Sequence, residues 1–332
     1  MKKIVLWLYL IYLATISSAM GLEKIQLRVG YLSLLPQLPI IVSYENDRLH
    51  FNHVDVELIK FTSFTSVEAA LRVGAIHAAS IPIPIILSIA SNLHDCKECD
   101  LRIVGATHIG GSTLVSKSSG DIHSLKGQMI GVPGLDSVEA FFMMDIMAEK
   151  GFQFGLDYKC IGITFDSAIK DIQSDTIKAF YLPEPWPSIA VKKAGAAFMD
   201  EPLFDVDQPT TLLVMSEKMM SHELPTTEWL QSIVRACDFI ENDITKTNAM
   251  QVAIIQQKYF NFSKETVIQS LTQRKGGIQF KPKIPDIDYI NKVMTKATEL
   301  KLIMRSVAFD QLLNTKGFIP KKNRLKIKRT LF

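Results

Sequence analysis

The chain has 332 residues, 47% of them hydrophobic and 21% charged, with a formal net charge of +3. That near balance gives no reason to expect nucleic-acid binding, and the apolar fraction supports a well-buried globular protein. The length exceeds what a single hydrophobic core usually organises, so two lobes are expected.

Lys2 and Lys3 precede an apolar run over 4–16 and the small residues Ser17, Ser18 and Ala19. This is the pattern of a cleavable secretory signal peptide over 1–19. The run is shorter than the roughly 20 apolar residues of a stable bilayer-spanning helix. No Cys stands just after the expected cut, so lipid attachment has no acceptor there. A freely diffusing periplasmic protein is the expectation.

From Leu27 onward, short β-rich runs alternate with helical patterns, which points to parallel sheets with covering helices. LRVGYLS (27–33) reads as a strand, 36–48 as a helix, VDVELIKF (54–61) as a strand and 66–74 as a helix. HAASIPI (77–83), a helix over 85–91 and LRIVGATH (101–108) complete an open α/β unit. After Gly110 and Gly111 the extended STLVSK introduces a second one. It runs through the strand 129–134, the helix 137–150, the strand 158–164, the helix 167–174, the strand 177–183 and the helix 186–194. TTLLVMS (210–216) is again extended, and helices follow over 227–243, 249–259, 264–273 and 286–302. The chain thus leaves its first lobe near Gly111 and returns near Thr211, and a double crossing of this kind makes a hinge. Lobe 1 is expected over 22–111 and 208–320, lobe 2 over 112–207, and a solvated basic tail over 321–332.

Cys96 and Cys99 form a C-x-x-C in a charged connector. A local disulfide and two free thiols both remain open, while a redox site would need the motif at a helix start after a strand. Zinc lacks a second ligand pair of suitable spacing. Cys160 and Cys237 read as core thiols.

Five stretches resemble one known group: LRVGYLSLLPQLPIIVSYENDRL, SFTSVEAALRVGAIHAASIPIPIIL, ATHIGGSTLVSK, DIHSLKGQMIGVPGLDSVEAFF and YLPEPWPSIAVKKAG. They are similar in order and spacing to the nitrate/sulfonate/bicarbonate and thiamine-precursor group of ABC substrate-binding proteins, over roughly 27–195. The resemblance implies an α/β type II periplasmic binding fold, with two lobes joined by two hinge strands and a ligand cleft between them. It also implies a membrane permease and an ATPase as partners. The expected protein is monomeric, without cofactor or metal and without enzymatic activity.

Small molecules bind beyond the carboxyl ends of strands in open α/β sheets. The candidates there are Ser33, Leu34 and Gln37, then Thr65 and Ser66 beside Ser63, then Asp136 and Ser137, then Glu184 and Trp186. Gly110, Gly111 and Ser112 join them at the crossing, where glycine lets backbone approach a ligand closely. The serines and Thr65 have an ordinary alternative as helix caps. Trp186 offers a flat apolar wall and Glu184 an acceptor that repels anions. EPW resembles the segment of nitrate- and bicarbonate-type members, from which Pro187 departs. With Leu34, Leu35, Ile81 and Ile83 the loops lean toward an organic ligand over bare nitrate. Nitrate, bicarbonate, a sulfonate and a pyrimidine all remain open. His108 is the one histidine to weigh for an enzyme on this scaffold. An exported sensor subunit is the other alternative.

Overall fold

The computed structural model describes residues 23–91, 100–118, 120–199, 207–273 and 277–318. The expected signal peptide, the Cys96/Cys99 connector and the basic tail lie outside the described residues.

The first sheet contains β1 (Ile25–Tyr31), β2 (Val54–Lys60), β3 (Ala78–Pro82) and β4 (Leu101–Gly105). Between these strands run α1 (Leu38–Asp47), α2 (Phe64–Arg72) and α3 (Ile83–Ser91). The second sheet contains β5 (Ser112–Ser116), β6 (Met129–Val132), β7 (Lys159–Gly162), β8 (Ala179–Pro183) and the two-residue β9 (Ala197–Phe198). Its helices are α4 (Val138–Glu149), α5 (Ala168–Gln173) and α6 (Trp186–Lys193). The chain then returns to the first sheet as β10 (Thr211–Ser216). The helices α7 (Glu217–Met220), α8 (Glu223–Thr247), α9 (Met250–Gln257), α10 (Lys264–Gln273), α11 (Ile287–Glu299) and α12 (Phe309–Leu312) follow.

Strand order is β2-β1-β3-β10-β4 in one sheet and β7-β6-β8-β5-β9 in the other. In the first sheet β1 pairs parallel with β2 and β3, and β10 runs antiparallel between β3 and β4. In the second, β6 pairs parallel with β7 and β8, and β5 runs antiparallel beside β8. The reversed strand in each sheet is therefore the first strand laid down after a crossing. This is the two-lobed type II periplasmic fold expected from the sequence.

The crossings are tied together. The Gly110 N–H donates to the Gln208 carbonyl at 3.1 Å. A returning stretch pairs antiparallel with the first crossing, Ile109 opposite Gln279 and Ala106 opposite Lys283. All four N–H···O bonds of those two pairs are made, at 2.7–3.1 Å. Behind the hinge α11 touches both sides: Tyr289 stacks on Phe142 of α4, and Lys296 pairs with Asp145 of α4 at 2.5 Å.

One core lies under α1, α8 and α9 on one face of the first sheet, around the fully buried Trp229. The other runs from the opposite face of that sheet through the lobe junction into the second sheet. Two boundaries differ from the sequence reading. The helix expected from 66 begins at Phe64, because Ser63 is its N-cap and accepts from Ser66 N at 3.2 Å. The helix expected from 227 begins at Glu223, since Pro225 falls in the first turn, where no N–H is needed. It ends at Asn248, whose φ of 55° suits a left-handed C-terminal position.

Gly105 joins β4 to the crossing at φ +144°, a conformation open essentially to glycine alone. A Cβ there would stand 2.9 Å from Phe318 Cε1 and 3.1 Å from the Lys283 carbonyl oxygen. Gly105→Ala should lower unfolding stability by about 2–4 kcal/mol. Urea titration checks this, and a loss below about 0.5 kcal/mol would show that the crossing relaxes without strain.

Candidate functional site

Strands β1, β2, β7 and β8 all point their carboxyl ends at the junction of the lobes, and the segments after them wall a cavity of about 220 Å³. Leu32 and Ser33 follow β1, while Lys60, Phe61 and Thr62 end β2. Phe165 and Asp166 follow β7, and Trp186 follows β8. Phe260, Asn261 and Phe262 come from the turn between α9 and α10. That turn is held by the buried Gln256, whose amide donates to Phe262 O at 3.0 Å and accepts from Phe262 N at 3.3 Å.

Aromatic rings run through the wall from one lobe to the other and back. Phe64 meets Phe165 edge-on at 6.0 Å, and Phe165 stacks on Trp186 at 6.4 Å with planes 17° apart. Trp186 meets Phe262 edge-on at 5.5 Å, and Phe262 meets Phe260 at 6.2 Å. Phe165 and Trp186 belong to the second lobe and are flanked on both sides by rings of the first. Such pairs contribute roughly 0.5–1.5 kcal/mol each beyond their buried area.

The polar groups of the wall are few. Ser33 Oγ and Trp186 Nε1 are shielded from solvent and have no hydrogen-bond partner. A buried donor left unmade costs about 1–3 kcal/mol, so a ligand acceptor would be well received at either. Lys60 Nζ turns away to the Tyr259 carbonyl at 3.1 Å. Asp166 is exposed at the mouth and joins no ion pair among the described residues.

Glu184 sits at the floor of the junction. Its N–H donates to Gly111 O at 2.8 Å, and its carbonyl accepts from Leu35 N of the opposite lobe at 2.9 Å. Its side chain is buried, with Oε2 3.4 Å from Ser188 N and Oε1 unpartnered. Burial pushes its carboxyl up to about 7.

Among the other residues singled out by sequence, Ser33 and Trp186 line the cavity. Leu34 is buried beside it, and Ile81 is fully buried in β3 opposite Leu212. Gln37 is used within its own lobe: its Oε1 accepts from Leu32 N at 2.9 Å and its amide donates to Ser80 O at 3.2 Å. Ser66 Oγ donates to Ser63 O at 2.7 Å, and Thr65 is exposed in the first turn of α2. Ser137 caps α4, accepting from Ala140 N at 3.1 Å, with Asp136 half-buried before it. Gly110 and Gly111 have φ of 60° and 98° at the crossing, and Ser112 Oγ donates to Glu139 Oε1 at 2.7 Å. His108 is fully buried in the crossing, where burial lowers its pKa to about 4 and keeps it neutral, away from the cavity. Burial pushes the Cys160 thiol up to about 12 and the Cys237 thiol higher still, so both stay protonated.

Lys60, Phe61, Thr62, Phe165 and Asp166 were not singled out by sequence, although the rule of strand carboxyl ends covers all of them. The turn 260–262 obeys no such rule. Its only signal is the F-N-F triplet between two helices, with Asn261 at φ 64°. A second cavity of about 220 Å³ lies at the opposite ends of the strands of the first sheet, beside Arg28, His77 and Lys218. There the Arg28 guanidinium is already bound to the carbonyls of Ala75 and Gly74, at 2.5 and 2.9 Å.

A model of the NMT1-like family matches residues 20–255. No curated protein matches the chain. Among solved structures, the ligand-binding component of an ABC-type import system from Staphylococcus aureus, with zinc bound, aligns at TM-score 0.75 and 15% identity. That alignment covers 89% of this chain and 98% of that one. The periplasmic nitrate-binding protein NrtA from Synechocystis PCC 6803 aligns at TM-score 0.74 and 16% identity, over 89% and 88% of the two chains. The periplasmic aliphatic sulphonate binding protein SsuA from Escherichia coli aligns at 0.67 and 16%, over 87% and 92%. Identities this low establish a shared fold.

Glu139, behind Ser112, is a second buried carboxyl near the hinge, and burial raises its pKa from 4.5. For an acid raised on folding, the associated stability is whole below the unfolded value and is lost as the pH climbs through the folded one. Glu139→Gln keeps an acceptor for Ser112. Its melting temperature should fall less steeply than the parent's between about pH 5 and about pH 8. Parallel calorimetric curves would show that the carboxyl is not desolvated.

Proposed function

This chain belongs to the NMT1-like family, and we propose from that membership and from its cleft that it is a periplasmic solute-binding protein serving an ABC importer. The observation that carries the reading is the ladder Phe165–Trp186–Phe262, which closes the cavity with rings from both lobes. A ligand that fills the cavity touches both lobes only when they are together, so binding favours closure. An exported form fits the N-terminal pattern of Lys2, Lys3 and the apolar run that follows. The partners would be a permease and an ATPase. The role proposed is binding without turnover.

The wall also argues for a class of ligand. Stacked and edge-on rings favour a flat or apolar body, and the free donors at Ser33 and Trp186 favour an acceptor on its rim. The one cation in the wall among the described residues, Lys60, is turned to Tyr259 O, and Asp166 adds a negative charge at the mouth, so an oxyanion is poorly served. The proposed cargo is therefore a small, flat, uncharged organic molecule bearing a hydrogen-bond acceptor, although the nitrate and sulfonate binders share the fold.

Native mass spectrometry of protein purified without refolding should release such a molecule chemically unchanged. Recovery of nitrate or a sulfonate would replace the ligand class while keeping the binding role, and time-dependent product formation would overturn both. With the recovered molecule as titrant, Trp186→Ala should weaken binding by roughly 1–3 kcal/mol. Trp186→Phe, which keeps a ring and loses the N–H, should weaken it by roughly 0.5–1.5 kcal/mol. Unchanged calorimetric affinity in both variants, with a large drop in melting temperature, would make Trp186 a packing residue only.

A further inference from the structure

Glu184 joins three parts of the molecule that move relative to one another when such a cleft opens. Its N–H is bound to Gly111 of the crossing, its carbonyl to Leu35 N of the first lobe, and its side chain lies under α10 of that same lobe. The bond to Leu35 and the contact with α10 join opposite lobes, so they belong to the closed state. Opening would carry the carboxyl from a fully buried position into water.

The buried surroundings are poor for a charged carboxylate. Ser188 N reaches Oε2 only at 3.4 Å, and Oε1 has no partner. The Ser270 hydroxyl stands beside the carboxyl, but its hydrogen is given to Thr266 O at 2.9 Å. The Ser188 hydroxyl and N–H favour the ionised form, as does Ser270 where its hydroxyl turns toward the carboxyl, and burial outweighs all three. The charged groups on the surrounding elements are Lys192 and Lys193 on α6, Lys264 and Glu265 at the start of α10, and Glu139 behind Ser112 of β5. None of them forms an ion pair with Glu184 among the described residues. Among the described residues no charge on the far lobe compensates the burial.

We propose that closure of the cleft takes up one proton, held on Glu184, so that the protein captures its ligand more tightly as the pH falls and releases it as the pH rises. The sign follows from geometry: the closed state desolvates the carboxylate and the open state hydrates it. The closed-state value of about 7, set by burial, places the response between mildly acidic and mildly alkaline pH. Between about pH 8 and about pH 5 the closing equilibrium should shift roughly 50- to 100-fold toward closed.

The test needs no ligand and is therefore independent of the cargo proposed above. Small-angle X-ray scattering of the ligand-free protein should show the radius of gyration falling as the pH is lowered over that range. Glu184→Gln, neutral at every pH, should abolish the response and hold the compact form. Glu184→Leu serves the same purpose if the Gln variant does not fold. The ¹³C carboxyl resonance lost in either variant should titrate well above the ordinary Glu value. A scattering profile independent of pH in the parent chain, or a pH response retained in both variants, overturns the proposal. So does a Glu184 carboxyl titrating at the ordinary value in protein whose scattering is compact. A molecule that fails to bind in the cleft would remove the cargo assignment and leave this result standing.

Discussion

The chain passes between its two sheets twice, and most of the architecture follows from that constraint. A strand that arrives from the other lobe enters its sheet at the hinge end, so it must run against its neighbours, and β5 and β10 both do. The crossing backbone would leave N–H and C=O groups unmet along a buried path. The returning stretch that contains Gln279 and Lys283 meets them, and Gly110 bonds to Gln208 of the other crossing. The hinge is thus a short strand bundle, and Gly105, Gly110 and Gly111 supply the conformations that let it turn.

Besides the apolar core that runs through the junction and the α11 contacts behind it, few specific contacts join the lobes at the cleft. One backbone bond from Leu35 to Glu184, the Phe64–Phe165 contact and the Trp186–Phe262 contact are the named links across it. A net hydrogen bond contributes about 0.5–1.5 kcal/mol and an aromatic pair a similar amount. Their sum is a few kcal/mol, set against two unpartnered donors and a desolvated carboxyl in the same junction. Opposed local terms of this size are where a ligand or a proton can bias the position of the lobes.

The element order, both crossings and the alternation of strands and helices were legible because they rest on periodicity and on glycine, which are local signals. The loops after β1 and β8 were also legible, since the carboxyl-end rule selects them and Ser33 and Trp186 do line the cavity. The functions of the polar side chains in those loops were not. Gln37, Ser66 and Ser137 each carry a hydrogen-bonding group at a place where a ligand might be met, yet each closes a bond within its own lobe. Sequence shows which groups are available, and only packing shows which are already engaged. Phe165 carries no such signal, because an aromatic after a strand looks like core until its neighbours across the junction are known.

The turn 260–262 limits what family membership says about cargo. The family match ends at residue 255, and Phe260 to Phe262 lie just beyond it. The matched part supplies the two sheets, both crossing segments, and the walls after β1, β2, β7 and β8, while the stretch around Gln279 and Lys283 that pairs with the first crossing lies beyond it. The last wall comes from helices that return after the second crossing, held in place by Gln256 at their junction. The two sheets thus belong to one part of the chain, and the turn that completes the cavity belongs to another. A change confined to that short turn would alter the cavity without touching the sheets or the hinge. The same fold can therefore hold nitrate in one protein and a sulfonate in another, and the composition of each cavity has to be read from its own side chains.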